Sequence, residues 1–154
     1  MGSIMYNLIN KIMWSEENDM TKIIIGVKGT GKTKVLIDMI NSALDSSKGS
    51  VVCIEKGDNL RLTVSYKCRL INSDEYLVND AQSLYGFIAG LLASNHDITD
   101  LFIDATFRIC QRDLEAFDKF IVEADELVSK LGVNLVMTLS MPAENATENI
   151  KKYL

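Results

Sequence analysis

Histidine and proline each occur once in this 154-residue chain, as His96 and Pro142, and cysteine three times, as Cys53, Cys68 and Cys110. One histidine, no C-x-x-C pair and three widely separated cysteines give a zinc site or a disulfide framework little to work with. The expected state is three reduced, mostly buried thiols in a cytoplasmic protein. A Ser-His-Asp or Cys-His hydrolase would have to use His96, within Ser94-Asn95-His96-Asp97. That segment reads as a polar loop between two apolar elements. Long apolar runs are missing too. The longest, Leu84 to Ala93, contains Gly86 and Gly90 and falls short of the ~20 residues of a membrane span. Residues 1–19 have neither a continuous apolar stretch nor a basic start, so no secretory signal is read there. Positive charge is also scarce. Against 21 Asp+Glu stand 16 Lys+Arg, a net −5 that argues against a broad nucleic-acid surface.

What the chain does have is apolar residues, 47% of the total, enough for the core of one domain over residues 20–154. Short apolar runs alternate with helical patterns. Lys22 to Gly26 is a continuous β-branched run, as in a strand buried on both faces. Thr33 to Leu44 repeats apolar residues at helical spacing, and Ser50 to Glu55 reads as the second strand. Lys56-Gly57-Asp58-Asn59 is turn chemistry. A further strand is expected within Leu62 to Ile71, best over Tyr66 to Ile71. Asp80 to Ala93 reads as a mostly buried helix whose Gly86 and Gly90 allow close backbone packing. Leu101 to Ala105 is the next strand. A helix from Leu114 to Leu131 follows, stopped by Gly132. Val133 to Leu139 is the last strand, and Ala143 to Tyr153 a terminal helix. This alternation predicts a three-layer α/β fold with a mainly parallel five-stranded sheet flanked by helices.

Ahead of this pattern, Ile4, Leu8 and Ile12 with Met5, Ile9 and Met13 trace an amphipathic helix ending at Trp14. Three readings stand for residues 1–19: a docking helix, an interface helix, or a non-native segment translated upstream of a start at Met20.

The informative residues are Gly26-Val27-Lys28-Gly29-Thr30-Gly31-Lys32-Thr33, followed by Lys34. They fit G-x-x-x-x-G-K-[ST] at every fixed position, between a buried strand and an amphipathic helix. A polyphosphate needs several backbone N–H donors converging on it, and Gly26, Gly29 and Gly31 let the chain curl that tightly. The following helix offers its positive end to the same anion. In this reading Lys32 meets the β- and γ-phosphates and the Thr33 hydroxyl a Mg2+ ion. A second metal-side carboxylate belongs at the end of another strand, where Asp104 closes Asp100-Leu101-Phe102-Ile103-Asp104. Glu55 ends the strand after the loop's helix. In a parallel sheet both C-terminal strand ends open onto one crevice, so Glu55 is the candidate to position water. An exposed carboxylate beside Lys56 is the alternative. Thr138 or Ser140 is a candidate γ-phosphate sensor, and Arg108 and Arg112 candidates for transition-state charge.

These motifs resemble those of the P-loop NTPase superfamily. The stretch from Met20 to Leu154 is similar to short Gram-positive bacterial proteins labelled ATP-binding or twitching-motility-ATPase-like. The likeness rests on GVKGTGKT (26–33), VVCIEKG (51–57), YGFIAGL (85–91) and LFIDATFRI (101–109). It implies a minimal RecA-like core that binds Mg-ATP, with the catalytic glutamate of RecA-like ATPases corresponding to Glu55, since Ala105 follows Asp104. Pilus retraction would need a second N-terminal domain and histidine-containing boxes that this chain lacks. With no N/T-K-x-D element and Asp104-Ala105-Thr106-Phe107 in place of D-x-x-G, the expected nucleotide is ATP rather than GTP. The implied function is a slow Mg-dependent ATPase acting as a switch or assembly factor, alone or with a homo-oligomeric or other protein partner. Two alternatives stay open: a small-molecule phosphotransferase with its acceptor between Glu55 and Leu60–Asn79, and a nucleotide-dependent binding module without turnover.

Overall fold

The computed structural model describes residues 20–154, so the amphipathic stretch read before Met20 lies outside the described residues. Five strands form one sheet: β1 (Thr21–Gly26), β2 (Ser50–Glu55), β3 (Arg69–Asn72), β4 (Ile98–Asp104) and β5 (Asn134–Ser140). Their order is β1-β5-β4-β2-β3, and every pairing is parallel. The helices are α1 (Lys32–Ser46), α2 (Ala81–Ser94), the one-turn α3 (Thr106–Ile109), α4 (Leu114–Leu131) and the short α5 (Glu148–Lys151).

Strand alternation divides the core into two unequal layers. On one face Val51, Cys53, Phe102 and Val136 meet Leu36, Ile40 and Ala43 of α1, with Leu60, Val64 and Cys68 from the segment before β3. On the other, Val52, Ile54, Leu101, Ile103, Leu135 and Met137 meet α2 and α4 through Leu84, Ile88, Phe117, Phe120 and Ile121. Strands sandwiched this way need apolar residues on both faces, which is why Val51–Ile54 of β2 and Leu101–Ile103 of β4 are unbroken apolar runs. The helix ends follow local chemistry. Asp80 caps α2 by accepting from Ser83 N while Ser83 Oγ serves the Asp80 amide. Gly132, at φ 69°, ends α4 in the left-handed conformation.

Four expectations need correction. The third strand covers only Arg69–Asn72. Tyr66 to Cys68 form a turn closed by Cys68 N donating to Ser65 O at 3.0 Å, because Val64 and Cys68 are spent covering α1. β4 begins at Ile98 and stops at Asp104. Its polar start had hidden it: Asp100 is buried, yet satisfied by Thr99 Oγ1 at 2.7 Å and Asn134 Nδ2 at 3.2 Å. The terminal helix is two pieces, a 3-10 turn over Ala143–Asn145 and α5, restarted by Thr147 accepting from Ile150 N. Finally, α2 buries only one face, through Ala81, Leu84, Ile88 and Leu92. Gly86 and Gly90 are exposed with open space where a Cβ would stand, so they mediate no close packing.

β1 is an edge strand whose neighbour, β5, comes last in the chain; Ile23 pairs with Met137. On its outer side the Ile23 amide donates to Tyr153 O at 2.8 Å. Just before β2, an interior strand, Gly49 sits where a Cβ would press against the backbone oxygen of Asp97. That oxygen also accepts from Ser50 N at 2.7 Å, fixing the entry of β2 beside β4. Neither backbone segment can yield, so Gly49→Ala is expected to cost about 1–3 kcal/mol. Urea denaturation of the two chains measures this as a lower midpoint at unchanged slope.

Candidate functional site

The alternation that builds the core also sorts the polar strand ends. Val51 and Cys53 face α1, so Glu55, two residues on, ends β2 on that face. Phe102 does the same for Asp104, and Val136 for Thr138. Register then sets them side by side: Glu55 pairs with Asp104, and Thr138 with Ile24 of β1. Above this row, on the α1 side, a crevice of about 920 Å3 opens at the C-terminal ends of the strands.

One wall is the loop between β1 and α1. Gly29 and Gly31 hold φ of 87° and 88°, which side-chain-bearing residues rarely adopt. Thr30 Oγ1 and Lys32 Nζ both donate to Val27 O, at 2.7 and 2.9 Å, folding the loop on itself. A Cβ on Gly26 would stand 2.6 Å from that Thr30 hydroxyl. Gly31 is the N-cap of the 15-residue α1 and no side chain caps it. The amides and positive end of a long helix are therefore left to the crevice. Val27, Lys28, Gly29, Gly31, Lys32 and Thr33 line it. Gly26, Thr30 and Lys34 are outside the lining, the first two within the loop and Lys34 exposed on α1.

Asp104 and Thr138 form a tight unit. Asp104 Oδ1 accepts from Thr138 Oγ1 at 2.7 Å and from the Ala105 amide at 3.0 Å. The same amide lies 2.9 Å from Thr138 Oγ1. Ala105 reaches both by taking φ 62°, an uncommon conformation for a residue with a Cβ. Among the described residues the hydrogen bonds to Asp104 fall on Oδ1, and the residue lines the crevice. Ser140, Arg108 and Arg112 complete the lining residues expected from the sequence.

Glu55 lines the crevice with Lys32 and Asp104, but its carboxylate is engaged. Oε1 accepts from the amides of Asn59 and Leu60 at 2.8 and 3.1 Å, and Oε2 from Leu60 at 3.2 Å. Glu55 thus anchors the Lys56–Asn59 turn and the 3-10 segment that follows. The Asn72 carboxamide supports the same turn by accepting from Gly57 N at 3.0 Å. Burial pushes the Glu55 carboxyl above its ordinary 4.5; the Leu60 and Asn59 amides oppose this, and the charges of Asp104 and Asp58 add to it.

The remaining reactive side chains lie elsewhere. All three cysteines are free and buried, and burial raises each thiol, Cys68 to about 11 and Cys110 to about 12. None is a ready nucleophile. His96 is exposed just before β4, at the opposite end of that strand from Asp104. Sequence reasoning missed the Asn59 and Leu60 amides as the partners of Glu55. It also missed the left-handed turn at Ala105, which no glycine or asparagine signals.

A carboxyl raised on folding binds its proton more tightly in the native than in the unfolded chain. Its effect is absent below the ordinary 4.5, and stability falls as pH rises from there through the raised value. Glu55→Gln keeps the acceptor and removes the charge. Urea denaturation between about pH 4 and pH 8 should show the parent chain losing stability relative to Glu55→Gln on the way up. Equal slopes with pH would show that Glu55 carries no such burden. No family model matches the chain and no curated protein does, so the geometry of the crevice carries the functional reading.

Proposed function

We propose that this chain is an ATP-binding P-loop protein that hydrolyses Mg-ATP slowly as a switch or assembly factor. One observation carries the reading: the Gly26–Thr33 loop, with two glycines at positive φ, joins a sheet strand to an uncapped helix and opens on the crevice that holds Asp104. A converging set of amides with a lysine and a hydroxyl suits a polyphosphate. The all-parallel sheet, with β5 between β1 and β4, is compatible with a RecA-like core.

The donors present also suit the implied ion. Thr33 brings a hydroxyl to the crevice lining and Asp104 a carboxylate, whose Oδ1 is the oxygen that accepts from Ala105 N and Thr138 Oγ1. Among the described residues no three His, Cys, Asp or Glu side chains converge on a metal site. Mg2+ keeps several waters and takes oxygen from phosphate, so two protein donors are enough. Bound there, the ion would neutralise charge on the β- and γ-phosphates. Lys32 would leave Val27 O for the phosphate, and Thr138 would hold Asp104 in one orientation. Glu55 would position water only after releasing the Asn59 and Leu60 amides.

That engagement of Glu55, together with Ala105 after Asp104, favours a second reading: a nucleotide-dependent binding module without turnover. The two part on phosphate release. In the first reading Mg-ATP binds, Lys32→Ala weakens it by roughly tenfold or more, and Lys32-dependent phosphate release is measurable. Asp104→Asn is expected to reduce the Mg2+ dependence of binding while ADP alone still binds. Binding without release selects the module. Calorimetric titration showing no Mg-ATP binding by the parent chain would end both.

A further inference from the structure

The charges lining the crevice exceed what a phosphate loop supplies. Lys28, Lys32, Lys56, Arg108 and Arg112 face Glu55 and Asp104, in a chain of net charge −5. Lys56 is spent on Asp74, 2.7 Å away. Lys28 and Lys32 belong to the loop after β1. Arg108 and Arg112 belong elsewhere: they follow β4, and β5 lies between β4 and β1. At ~4.8 Å per strand, the two strand ends are about 10 Å apart across the crevice. Neither arginine has an ion-pair partner among the described residues.

The backbone under these arginines is held firmly and at a cost. Ala105, Gln111 and Arg112 have φ of 62°, 58° and 54°, three side-chain-bearing residues in the left-handed region within one short stretch. Such conformations persist only where surrounding contacts over-determine them, and they gather at ligand sites. The contacts are present. Arg112 N donates to Phe107 O at 2.7 Å, Asp113 N to Cys110 O at 3.2 Å, and Gln111 Nε2 to Asn79 O at 2.6 Å. Ile109 and Cys110 are buried beneath while Arg108 and Arg112 stay exposed to the crevice. The held backbone fixes where the two side chains leave the chain at the crevice, and each guanidinium, without an ion-pair partner among the described residues, can hold an oxyanion through two parallel N–H bonds.

We propose that the crevice takes two anions: a polyphosphate at the Gly26–Thr33 loop, and the phosphoryl or carboxylate group of a second small molecule at Arg108 and Arg112. The proposal rests on the nucleotide reading for its first anion only. The volume of about 920 Å3 is at the upper end of the ~300–1,000 Å3 of small-molecule sites.

The test uses the full chain saturated with Mg2+ and a non-hydrolysable ATP analogue. Inorganic phosphate is titrated in one arm and succinate in the other, read by NMR at the arginine side-chain N–H groups. Saturable shifts at Arg108 and Arg112 are expected in at least one arm, and the arm that saturates first names the oxyanion. Arg108→Ala and Arg112→Ala should each weaken that anion by about tenfold while changing analogue affinity by less than about threefold. Both residues are exposed, and an unchanged urea midpoint confirms folding. If either variant weakens the ATP analogue by about tenfold and spares Mg-ADP, the arginines serve the γ-phosphate and the proposal is overturned. Shifts that never saturate, or that the variants leave unchanged, overturn it too. If the parent chain binds no analogue, the nucleotide reading has failed by itself. Phosphate and succinate titrated into Lys32→Ala, with the loop disabled, then read the arginines alone.

Discussion

Asp104 Oδ1 is shared between the Thr138 hydroxyl and the Ala105 amide, and this three-way contact ties together the parts that meet at the crevice. It locks the end of β4 to β5, whose other neighbour is β1, the strand that leads into the Gly26–Thr33 loop. It also holds Ala105 in a left-handed turn, and that turn starts the short helix carrying Arg108. A hydrogen bond to a carboxylate is among the stronger ones available. Its loss would loosen the wall between the loop and the arginines as well as freeing the carboxylate.

Glu55 shows the opposite use of a carboxylate. Its charge faces desolvation and the neighbouring Asp104, and two backbone amides offset part of that. The turn after β2 is therefore organised by an acid whose ionisation the fold disfavours. Two strand-end carboxylates in register have been given different work by what surrounds them, one tied through Oδ1 to the neighbouring strand and one engaged at both oxygens by the turn that follows it.

Much of this was legible from residue order because the signals were local. β-branched runs marked β1 and β2, and the repeat of Leu114, Phe117, Ile121, Ala124 and Val128 marked α4. The glycine spacing of the loop marked the chain reversal between β1 and α1. The misreadings arose where a residue's partner is distant in sequence. Asp100 lies inside β4 because Asn134 satisfies it across the sheet. Val64 and Cys68 look like strand residues but serve as a lid on α1. Gly86 and Gly90 suggested a tight helix contact, yet the buried face of α2 is set by Leu84, Ile88 and Leu92, which turn both glycines outward. The placement of Glu55, Asp104 and Thr138 on one face follows from counting alternate residues. The amides that Glu55 engages do not.

The pairing of β1 with β5 bears on how the molecule is made. While the chain emerges, β2, β3 and β4 and their two flanking helices can assemble, but β1 has no strand to join until β5 arrives. Pairing between strands so far apart in sequence is the kind of contact that slows folding. The Gly26–Thr33 loop follows β1 directly, so the strand it springs from gains its only sheet neighbour among the described residues when β5 is in place. A ligand bridging the loop and Asp104 would hold the last-added part to the rest, and its supply during synthesis would set how much chain escapes the half-built state.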